Sequence, residues 1–396
     1  MKPLYAVAAV LFMSAVLVLE EAVAIPAFAR KYDMSCMTCH APFPKLKPYG
    51  ADFAANGYQL ADKDAPRFLR DTGDDWLLLM RELPVALRFE LYGRFQSIDE
   101  TKADLQTPYI LKILSGGQIA RDVSYYFYFF FSERGEVAGI EDAFLSFNNI
   151  FSAPLDLAVG QFQVSDPLFK RELRMTFEDY QIYRFAPGHS SVDLAYDRGL
   201  YFTYALPTAT DLSFLVVNGS GIGPADASRA FDSDRYKNVM LRISQDVGEL
   251  LRVGVFGYVG KEEGVGAMEG GTEAPARTNA MWMLGPDVTL STENLEVNVQ
   301  YVERQDEDPF FAGADEKTKT RGGFAEVVYT PNGDQSRYYG VLLYNWLESL
   351  PGGAKVNSLT GHLSYMIARN LRLTGEYTYD FALKGGTVTV GLVSAF

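Results

Sequence analysis

Apolar and polar residues alternate along most of this chain, from about residue 83 to its end. In the segment from Leu371 to Phe381, leucine, glycine, tyrosine and phenylalanine share one face, while arginine, threonine, glutamate and aspartate share the other. A period of two predicts a β-strand with one apolar and one polar face. Segments of about ten residues with this pattern are typical of outer-membrane barrels, which turn apolar side chains toward lipid and polar ones toward the lumen. A soluble β-sandwich also alternates, but its strands are usually shorter.

Sixteen segments are predicted as strands, at 83–99, 107–120, 122–133, 139–149, 153–163, 193–206, 209–219, 235–247, 249–261, 276–290, 293–306, 319–331, 335–348, 355–368, 370–382 and 386–396. The connections after the even-numbered strands are tight. Those after strands five, seven, nine and eleven are long, at 164–192, 220–234, 262–275 and 307–318. Short turns on one side and long loops on the other are the asymmetry of outer-membrane barrels. We therefore predict an all-β fold, a transmembrane barrel of about 16 strands over residues 83–396, with both ends of the barrel on the periplasmic side.

The end of the chain and its composition agree with this prediction. The last ten residues alternate and finish in a phenylalanine, which resembles the C-terminal assembly signal of bacterial outer-membrane proteins. Aromatic residues make up 14% of the chain, a content that favours sheet over helix. The formal net charge of −14 argues against nucleic acid as a partner.

The N-terminus predicts export. Lys2 supplies a short positive region, an apolar stretch runs from Leu4 to Leu19, and Ala22-Val23-Ala24 forms a small-x-small cleavage site. A retained membrane anchor is the alternative, but the stretch is short for a spanning helix. We predict that residues 1–24 are a signal peptide and that the mature chain begins at Ile25.

Residues 36 to 40 read Cys-Met-Thr-Cys-His and contain both cysteines of the chain. C-x-x-C-H is the attachment motif of a c-type haem. Cys36 and Cys39 are predicted to form the two thioethers, and His40 is predicted to be the axial ligand of the haem iron. A dithiol redox motif, half a zinc site and a structural disulfide are the alternatives. A zinc site lacks further ligands nearby, because His189 and His362 lie far along the chain.

The residues around this motif also resemble a known family. The stretch Ile-Pro-Ala-Phe-Ala-Arg-Lys-Tyr-Asp-Met-Ser-Cys-Met-Thr-Cys-His is followed by Phe43-Pro44-Lys45-Leu46, Tyr49-Gly50, Phe53 and Gly57-Tyr58. Over residues 25–60 the chain resembles fused cytochrome–porins, in which a monohaem c-type cytochrome segment precedes an outer-membrane barrel. The best-known members are outer-membrane iron oxidases of iron-oxidising bacteria. The resemblance implies electron transfer across the outer membrane; the barrel resembles the family in architecture alone.

The segment between the signal peptide and the barrel, residues 25–82, is too short to bury a substantial core by itself. We predict a short helix across Pro48 to Asn56, and we expect the segment to plug the lumen or sit at its periplasmic mouth. The distal ligand of the haem iron is predicted to be His362, which lies mid-strand and faces the lumen. His189, Met34, Met80 or an open sixth position are the alternatives.

Two further features bear on function. The segment Val123 to Phe131 carries aromatic residues on both faces, and its inward face is predicted to pack against the haem segment. The long loops carry acidic side chains that suit a hard cation such as ferrous iron, although acidic loops are commonly just solvated. These carboxylates are Glu262, Glu263, Glu269, Glu273, Asp306, Glu307, Asp308, Asp315 and Glu316. Nothing resembles a Ser/His/Asp site, a phosphate loop or a dinucleotide fingerprint.

The sequence predicts a barrel carrying one covalent haem c, which takes electrons from extracellular Fe(II) and passes them to a periplasmic c-type cytochrome. The alternative is a passive porin or channel whose haem segment is a plug or a redox sensor. Reduction of the haem by Fe(II), followed by reoxidation by a periplasmic cytochrome, discriminates between them.

Overall fold

The computed structural model describes residues 27–60, 69–74, 76–77, 79–81, 83–98, 100–265, 275–313 and 317–396. Sixteen antiparallel strands form a closed barrel. They are β3 (Val85–Ile98), β4 (Glu100–Ala120), β5 (Val123–Glu133), β6 (Gly139–Phe147), β7 (Leu155–Gln163), β8 (Tyr196–Leu206), β9 (Thr210–Val217), β10 (Asn238–Val247), β11 (Leu251–Val265), β12 (Ala276–Ser291), β13 (Leu295–Asp306), β14 (Thr318–Tyr329), β15 (Tyr338–Leu350), β16 (Ala354–Ala368), β17 (Leu371–Asp380) and β18 (Gly385–Ala395).

The smaller elements lie before and between these strands. A separate two-stranded sheet pairs β1 (Leu69–Arg70) with β2 (Leu79–Met80). The helices are α1 (Ala27–Tyr32), α2 (Pro48–Ala55) and α3 (Gln181–Arg184), and short 3₁₀ turns span Cys36–Thr38, Ile150–Ser152, Arg171–Leu173 and Gly333–Gln335. The helix predicted across Pro48 to Asn56 is therefore confirmed as α2. None of the helices in the described part of the chain is long and apolar enough to cross a membrane.

The barrel closes where its last strand pairs with its first. Strands β18 and β3 are antiparallel neighbours, and the closing ladder ends where Leu87 and Phe396 exchange backbone hydrogen bonds of 2.6 and 2.8 Å. Closure leaves no open sheet edge, which is what a sheet needs inside a lipid bilayer that offers no hydrogen-bond partners. The predicted count of sixteen strands is confirmed. The prediction that the end of the chain forms a strand is also confirmed.

Side chains on the two faces of the wall differ as the alternation predicts. On β17, Arg372, Thr374 and Glu376 are buried toward the lumen, whereas Tyr377 is exposed on the outside. Large apolar side chains cover the exterior, among them Leu363 on β16, which is 61% exposed. A closed barrel of this size with an apolar exterior is an outer-membrane architecture, and the chain is located in the outer membrane.

The connections fall into two sets. The turns after β4, β6, β8, β10, β12, β14 and β16 are short and lie at one end of the barrel, which we call the short-turn end. The connections after β7, β9, β11 and β13 are long and lie at the opposite end. This asymmetry was predicted from the sequence, and it is the usual difference between the periplasmic and extracellular ends of such barrels.

The longest connection, residues 164–195, folds into the barrel, and we call it the lumen loop. Tyr180, Ile182 and Tyr183 of this loop are fully or almost fully buried against the inner wall. The apolar cluster that they join is Phe162, Val164, Tyr180, Ile182, Tyr183, Val192, Leu194, Leu215, Val217, Met240, Phe256, Tyr258, Met281, Met283, Val302, Phe324, Leu343 and Leu347. The inner wall from β9 to β15 thus holds a hydrophobic core rather than facing water.

The other face of the lumen loop is charged. Arg171 binds Asp179 through two hydrogen bonds, Nε–Oδ1 at 3.1 Å and Nη2–Oδ2 at 2.5 Å. Burial alone would raise the pKa of the Asp179 carboxyl, but Arg174 and Arg171 lower it to about 2. Asp179 is therefore ionised at any physiological pH and holds the loop's arginines in place.

Two details differ from the predictions. Strand β4 begins at Glu100 rather than at residue 107. Residues 100–105 pair with β3, but both of their faces are exposed, so they show no apolar and polar alternation that would predict a strand. The inner faces of β11 to β15 were expected to be polar, yet β15 turns Val341, Leu343 and Leu347 inward. The lumen loop covers these side chains and removes them from water.

Candidate haem-attachment site

The C-x-x-C-H motif folds as a tight turn. The backbone N–H groups of Cys39 and His40 both donate to the Cys36 carbonyl, at 3.3 and 2.9 Å. The hydroxyl of Ser35 caps the turn by accepting from the Met37 N–H at 3.3 Å. Both cysteines are free thiols and half-buried, and burial raises the pKa of each. The two sulfur atoms are thus available for two separate bonds.

The imidazole of His40 is oriented by its own loop. Its Nδ1 lies 2.8 Å from the Pro44 carbonyl oxygen and 3.3 Å from that of Lys45. These acceptors require Nδ1 to carry the proton, which leaves the lone pair on Nε2. Burial lowers the pKa of His40 and favours the neutral form that a metal ligand must have. Two free thiols and an oriented imidazole fit a covalently attached haem.

Helix α2 packs directly on this turn. A Cβ atom at Gly50 would lie 2.3 Å from the Cys39 carbonyl oxygen and 2.9 Å from its Cα. The Lys47 N–H donates to the same carbonyl at 2.8 Å. Any side chain at position 50 would therefore push the helix away from the turn, so Gly50 fixes the position of Cys39.

Residues 27–60, which we call the mouth segment, are held across the short-turn end of the barrel. Lys45 forms an ion pair with Glu296 on β13, and Lys47 forms one with Asp334 in the turn before β15. The Phe43 carbonyl accepts from Tyr339 Oη at 3.3 Å and from Arg372 Nη1 at 2.8 Å. These contacts fasten one side of the segment to strands β13 to β17.

The opposite side of the mouth segment is held by aromatic packing. The ring of Tyr58 stacks on Phe28 at 4.6 Å and on Tyr126 of β5 at 5.1 Å. Gly57 has a positive φ of 64°, and a Cβ there would lie 2.1 Å from the Ser124 hydroxyl. Of the inward aromatic face of residues 123–131, Tyr126 packs against the mouth segment, whereas Tyr128 and Phe130 pack with Tyr196 of β8.

His362 lies on the inner face of β16, as predicted, with both ring nitrogens engaged. Nδ1 is 2.9 Å from Glu376 Oε2, and Nε2 is 2.8 Å from the Ser364 hydroxyl. Its ring stacks at 6.2 Å on Tyr339, which contacts the mouth segment. Coordination of a metal through Nε2 requires the Ser364 hydrogen bond to break. The distal role of His362 stays a prediction.

The alternative distal ligands are spread over the molecule. His189 is exposed in the lumen loop, where its N–H donates to the Pro309 carbonyl at 2.8 Å, at the end opposite to His40. Met34 follows α1 in the mouth segment. Met80 lies at the short-turn end beside Gly117. A Cβ atom added at Gly117 would lie 3.3 Å from the Met80 sulfur.

Several acidic residues of the long loops have structural partners. Glu262 accepts from Ser191 at 2.9 Å and from Asn279 at 2.9 Å, and Asp306 binds Arg304 at 2.7 Å. Glu269, Glu273, Asp315 and Glu316 lie outside the described residues. Within the described ranges, no group of three or more His, Cys, Asp or Glu side chains is placed to hold a metal ion. A site for extracellular Fe(II) stays a prediction.

Some residues at the mouth carry no sequence signal. Tyr339 and Arg372 are inward positions on their strands, and the period-two pattern identifies them only as lumen residues. Met366 and Arg369 line a small cavity with Phe43 beside them. Only the structure, in which distant strands contact the mouth segment, shows that these side chains lie near the C-x-x-C-H motif.

Comparison with solved structures identifies the fold. OmpT of Vibrio cholerae is 11% identical with a TM-score of 0.52, and the match covers 83% of this chain and 100% of OmpT. An anion-selective porin from Comamonas acidovorans is 11% identical with a TM-score of 0.56, over 80% and 99% of the two chains. Salmonella typhi OmpF, in complex with daunomycin, is 10% identical with a TM-score of 0.54, over 79% and 97%. No protein-family model matches the chain, and no curated protein matches it. The barrel therefore has the porin fold.

Replacing both cysteines by alanine should abolish covalent haem, because each thiol supplies one thioether. A denaturing gel stained for haem peroxidase activity measures this directly. The barrel strands do not include these residues, so the double variant should still show heat-modifiable migration. An unchanged haem band in the double variant would contradict the assignment.

Gly50→Ala should lower the yield of covalent haem several-fold, because a Cβ at this position collides with the Cys39 backbone. The haem-to-protein absorbance ratio of the purified protein measures the effect. Ala51→Ser is the matched control, since residue 51 is exposed on the same helix. Equal haem content in Gly50→Ala and the parent would show that α2 does not position the turn.

Proposed function

We propose that this chain is a channel-type outer-membrane barrel whose periplasmic mouth is closed by its own haem-bearing segment, which acts as a plug or a redox sensor. The single observation that carries this proposal is the seating of the mouth segment across the short-turn end. The segment contacts β5 on one side and β13 to β17 on the other. The porin fold of the barrel favours a channel over a dedicated electron carrier.

Two features of the lumen support this function. The lumen loop narrows the middle of the barrel, with an apolar cluster on one side and ion pairs on the other, and leaves a polar cavity of about 190 Å³ beside the wall. The mouth segment then covers the short-turn end through ion pairs, hydrogen bonds and aromatic stacking. Because the mouth segment is held partly by charge pairs, changes in the charge near the Cys36–His40 turn can alter its attachment.

The residues of the Cys36–His40 turn determine which signal a sensor would detect. A haem held by Cys36, Cys39 and His40 supplies reversible one-electron chemistry and cannot diffuse away. The Lys47 N–H donates to the Cys39 carbonyl, and the Lys45 carbonyl accepts from the Ala41 N–H that follows the motif. Both lysines also pair with the barrel, so the environment of the turn is coupled to the contacts that fasten the segment.

Electron transfer is the second candidate function, favoured by the C-x-x-C-H turn itself and by the resemblance of residues 25–60 to cytochrome–porins. One electron would leave extracellular Fe(II), giving Fe(III), and pass by way of the His40 site to a periplasmic c-type cytochrome. The free thiols and the oriented imidazole support this candidate. Glu262, Asp306 and Asp308 already have protein partners and do not add to it.

Reversing the charge of the two lysines that fasten the mouth segment should open the barrel. In planar bilayers, Lys45→Glu/Lys47→Glu should conduct several-fold more ions than the parent, because each new carboxylate faces Glu296 or Asp334. Lys102→Glu is the matched control, since Lys102 is an exposed lysine paired loosely with Glu100 at 4.0 Å.

Redox measurements distinguish the sensor, the plug and the electron carrier. A sensor predicts different conductance after reduction with dithionite and oxidation with ferricyanide. A plug predicts low conductance in both states, and an electron carrier predicts fast haem reduction by Fe(II) in stopped flow. High and equal conductance in the parent and the lysine variant, whatever the redox state, would refute the plug and the sensor together.

His362→Ala should shift the Soret band if His362 is the distal ligand, while leaving covalent haem in place. Ser364→Ala is the matched control, because it removes the hydroxyl that holds Nε2 but leaves the imidazole. His189→Ala should be silent, since that side chain is exposed at the other end of the barrel. Parent-like spectra for His362→Ala would move the role to Met34, Met80 or an open position.

A further inference from the structure

A short hairpin that precedes the barrel exposes several large apolar side chains close together. It is formed by β1 and β2, and we call the described residues of 69–80 the outer hairpin. Trp76, in the turn between the two strands, is 97% exposed, and Leu77, Leu79 and the following Leu83 are between 44% and 63% exposed. Single exposed apolar side chains are ordinary, but a cluster of this kind marks a surface that a partner covers.

The end of the outer hairpin lies on the outside of the barrel wall. A Cβ atom at Gly116 would lie 3.2 Å from the Tyr58 ring, so this residue faces the mouth segment. Gly117 is the next residue of β4 and faces the opposite side of the wall. A Cβ atom at Gly117 would lie 3.3 Å from the Met80 sulfur and 3.5 Å from Pro84. Met80 and Pro84 therefore cover part of the lipid-facing surface of β4.

This contact lies at the level of the aromatic girdle, the band of aromatic side chains that such barrels carry where the wall meets the lipid headgroups. Tyr125 of β5 pairs with Gly117, and its Cε1 lies 3.8 Å from the same Cβ position. Strand β5 begins at Val123, so Tyr125 lies close to the short-turn end of the wall. Tyrosine and tryptophan suit this level because their rings are apolar and their polar atoms reach the headgroups. The apolar surface of the outer hairpin is thus continuous with the lipid-facing wall.

The turn that carries Trp76 satisfies its own backbone groups. The Trp76 N–H donates to Asp74 Oδ1 at 2.9 Å, and the Leu77 N–H donates to the Asp74 carbonyl at 3.0 Å. The Gly73 N–H donates to Asp71 Oδ1 at 3.0 Å. Backbone N–H groups that already have acceptors lower the cost of entering a lipid interface. The carboxylates of Asp71 and Asp74 keep the turn at the headgroups and out of the hydrocarbon.

We propose that the outer hairpin is a lipid anchor, in which the indole of Trp76 and the leucines beside it insert into the headgroup region of the bilayer at the short-turn end. The partner is the lipid surface itself, and the proposal uses neither the haem nor the channel. In the chain the outer hairpin lies between the mouth segment and β3. The anchor therefore fixes the point at which the chain passes from the mouth of the barrel to its wall.

Fluorescence quenching of the haem-loaded protein in phosphatidylcholine vesicles tests the anchor. The chain has three tryptophans, and Trp282→Phe/Trp346→Phe leaves Trp76 as the only emitter. Phosphatidylcholine that is brominated near the headgroup should quench this emission. Iodide, present on both sides of the membrane, should quench it several-fold less than in the same protein unfolded in urea. Each value is a ratio of emission with and without quencher in one protein, so a constant energy transfer to the haem cancels.

Trp76→Phe/Trp282→Phe, which leaves Trp346, is the reference for a side chain in the lipid-facing wall. On β15 Trp346 lies between Asn345 and Leu347, which are fully buried toward the lumen, so its ring points outward. Brominated lipid should quench this tryptophan as well. Heat-modifiable migration of each variant checks that the barrel has folded.

A charge in the outer hairpin should release the anchor. In the protein with Trp76 alone, Leu77→Asp should raise iodide quenching several-fold, because a carboxylate beside the indole opposes insertion into lipid. Leu105→Asp is the matched control, since Leu105 is 79% exposed on β4 at the opposite end of the barrel. This variant should leave the quenching of Trp76 unchanged.

Two results would overturn the inference. Iodide quenching of Trp76 in vesicles that is as strong as in urea would place the indole in water. Weak quenching by both iodide and brominated lipid would show that protein covers it, whether a second copy of this chain or another partner. The measurement records no current, so the anchor stands or falls independently of the channel proposal.

Discussion

Every structural feature of this chain depends on one constraint, that a sheet inside a bilayer must leave no backbone group unpaired. Lipid offers no donors or acceptors, so sixteen strands close on themselves and the last pairs with the first. In a closed barrel each side chain points either to the lumen or to the lipid, because successive residues of a strand face opposite sides of the wall. The outer face must then be apolar, and everything that distinguishes this protein from other barrels is confined to its lumen and its two ends.

The lumen is where the chain departs from an open pore. Residues 164–195 bury aromatic and aliphatic side chains against β9 to β15, so half of the inner wall behaves like the core of a soluble protein. The charged face of the same loop meets β4 and β17, where Glu172 pairs with Lys112 and the Phe177 and Glu178 N–H groups donate to Glu376. A loop held on one face by apolar burial and on the other by ion pairs has little freedom to move.

The sequence was informative wherever a local pattern determines structure. Period-two alternation gave all sixteen strands, and Pro48 with the following small residues gave α2. The inward direction of Tyr126 was also predicted, because alternation along the strand alone determines which side chains face the lumen. The apolar lumen was missed since Val341 and Leu347 look like any alternating residues, and only the fold of a distant loop explains their burial. The contact of Arg372 with the mouth segment was missed for the same reason, because it depends on where a distant part of the chain is placed.

The position of the Cys36–His40 turn sets a requirement for any function that involves it. The turn lies at the short-turn end, while the long loops lie across the full length of the strands at the other end. An electron donor outside the cell would have to reach the turn through a lumen that the loop at 164–195 fills with apolar side chains and mutually paired charges. For the proposed plug or sensor, the same seating places the Cys36–His40 turn nearer to the short-turn end, which is the periplasmic end in barrels of this type, than to the long loops.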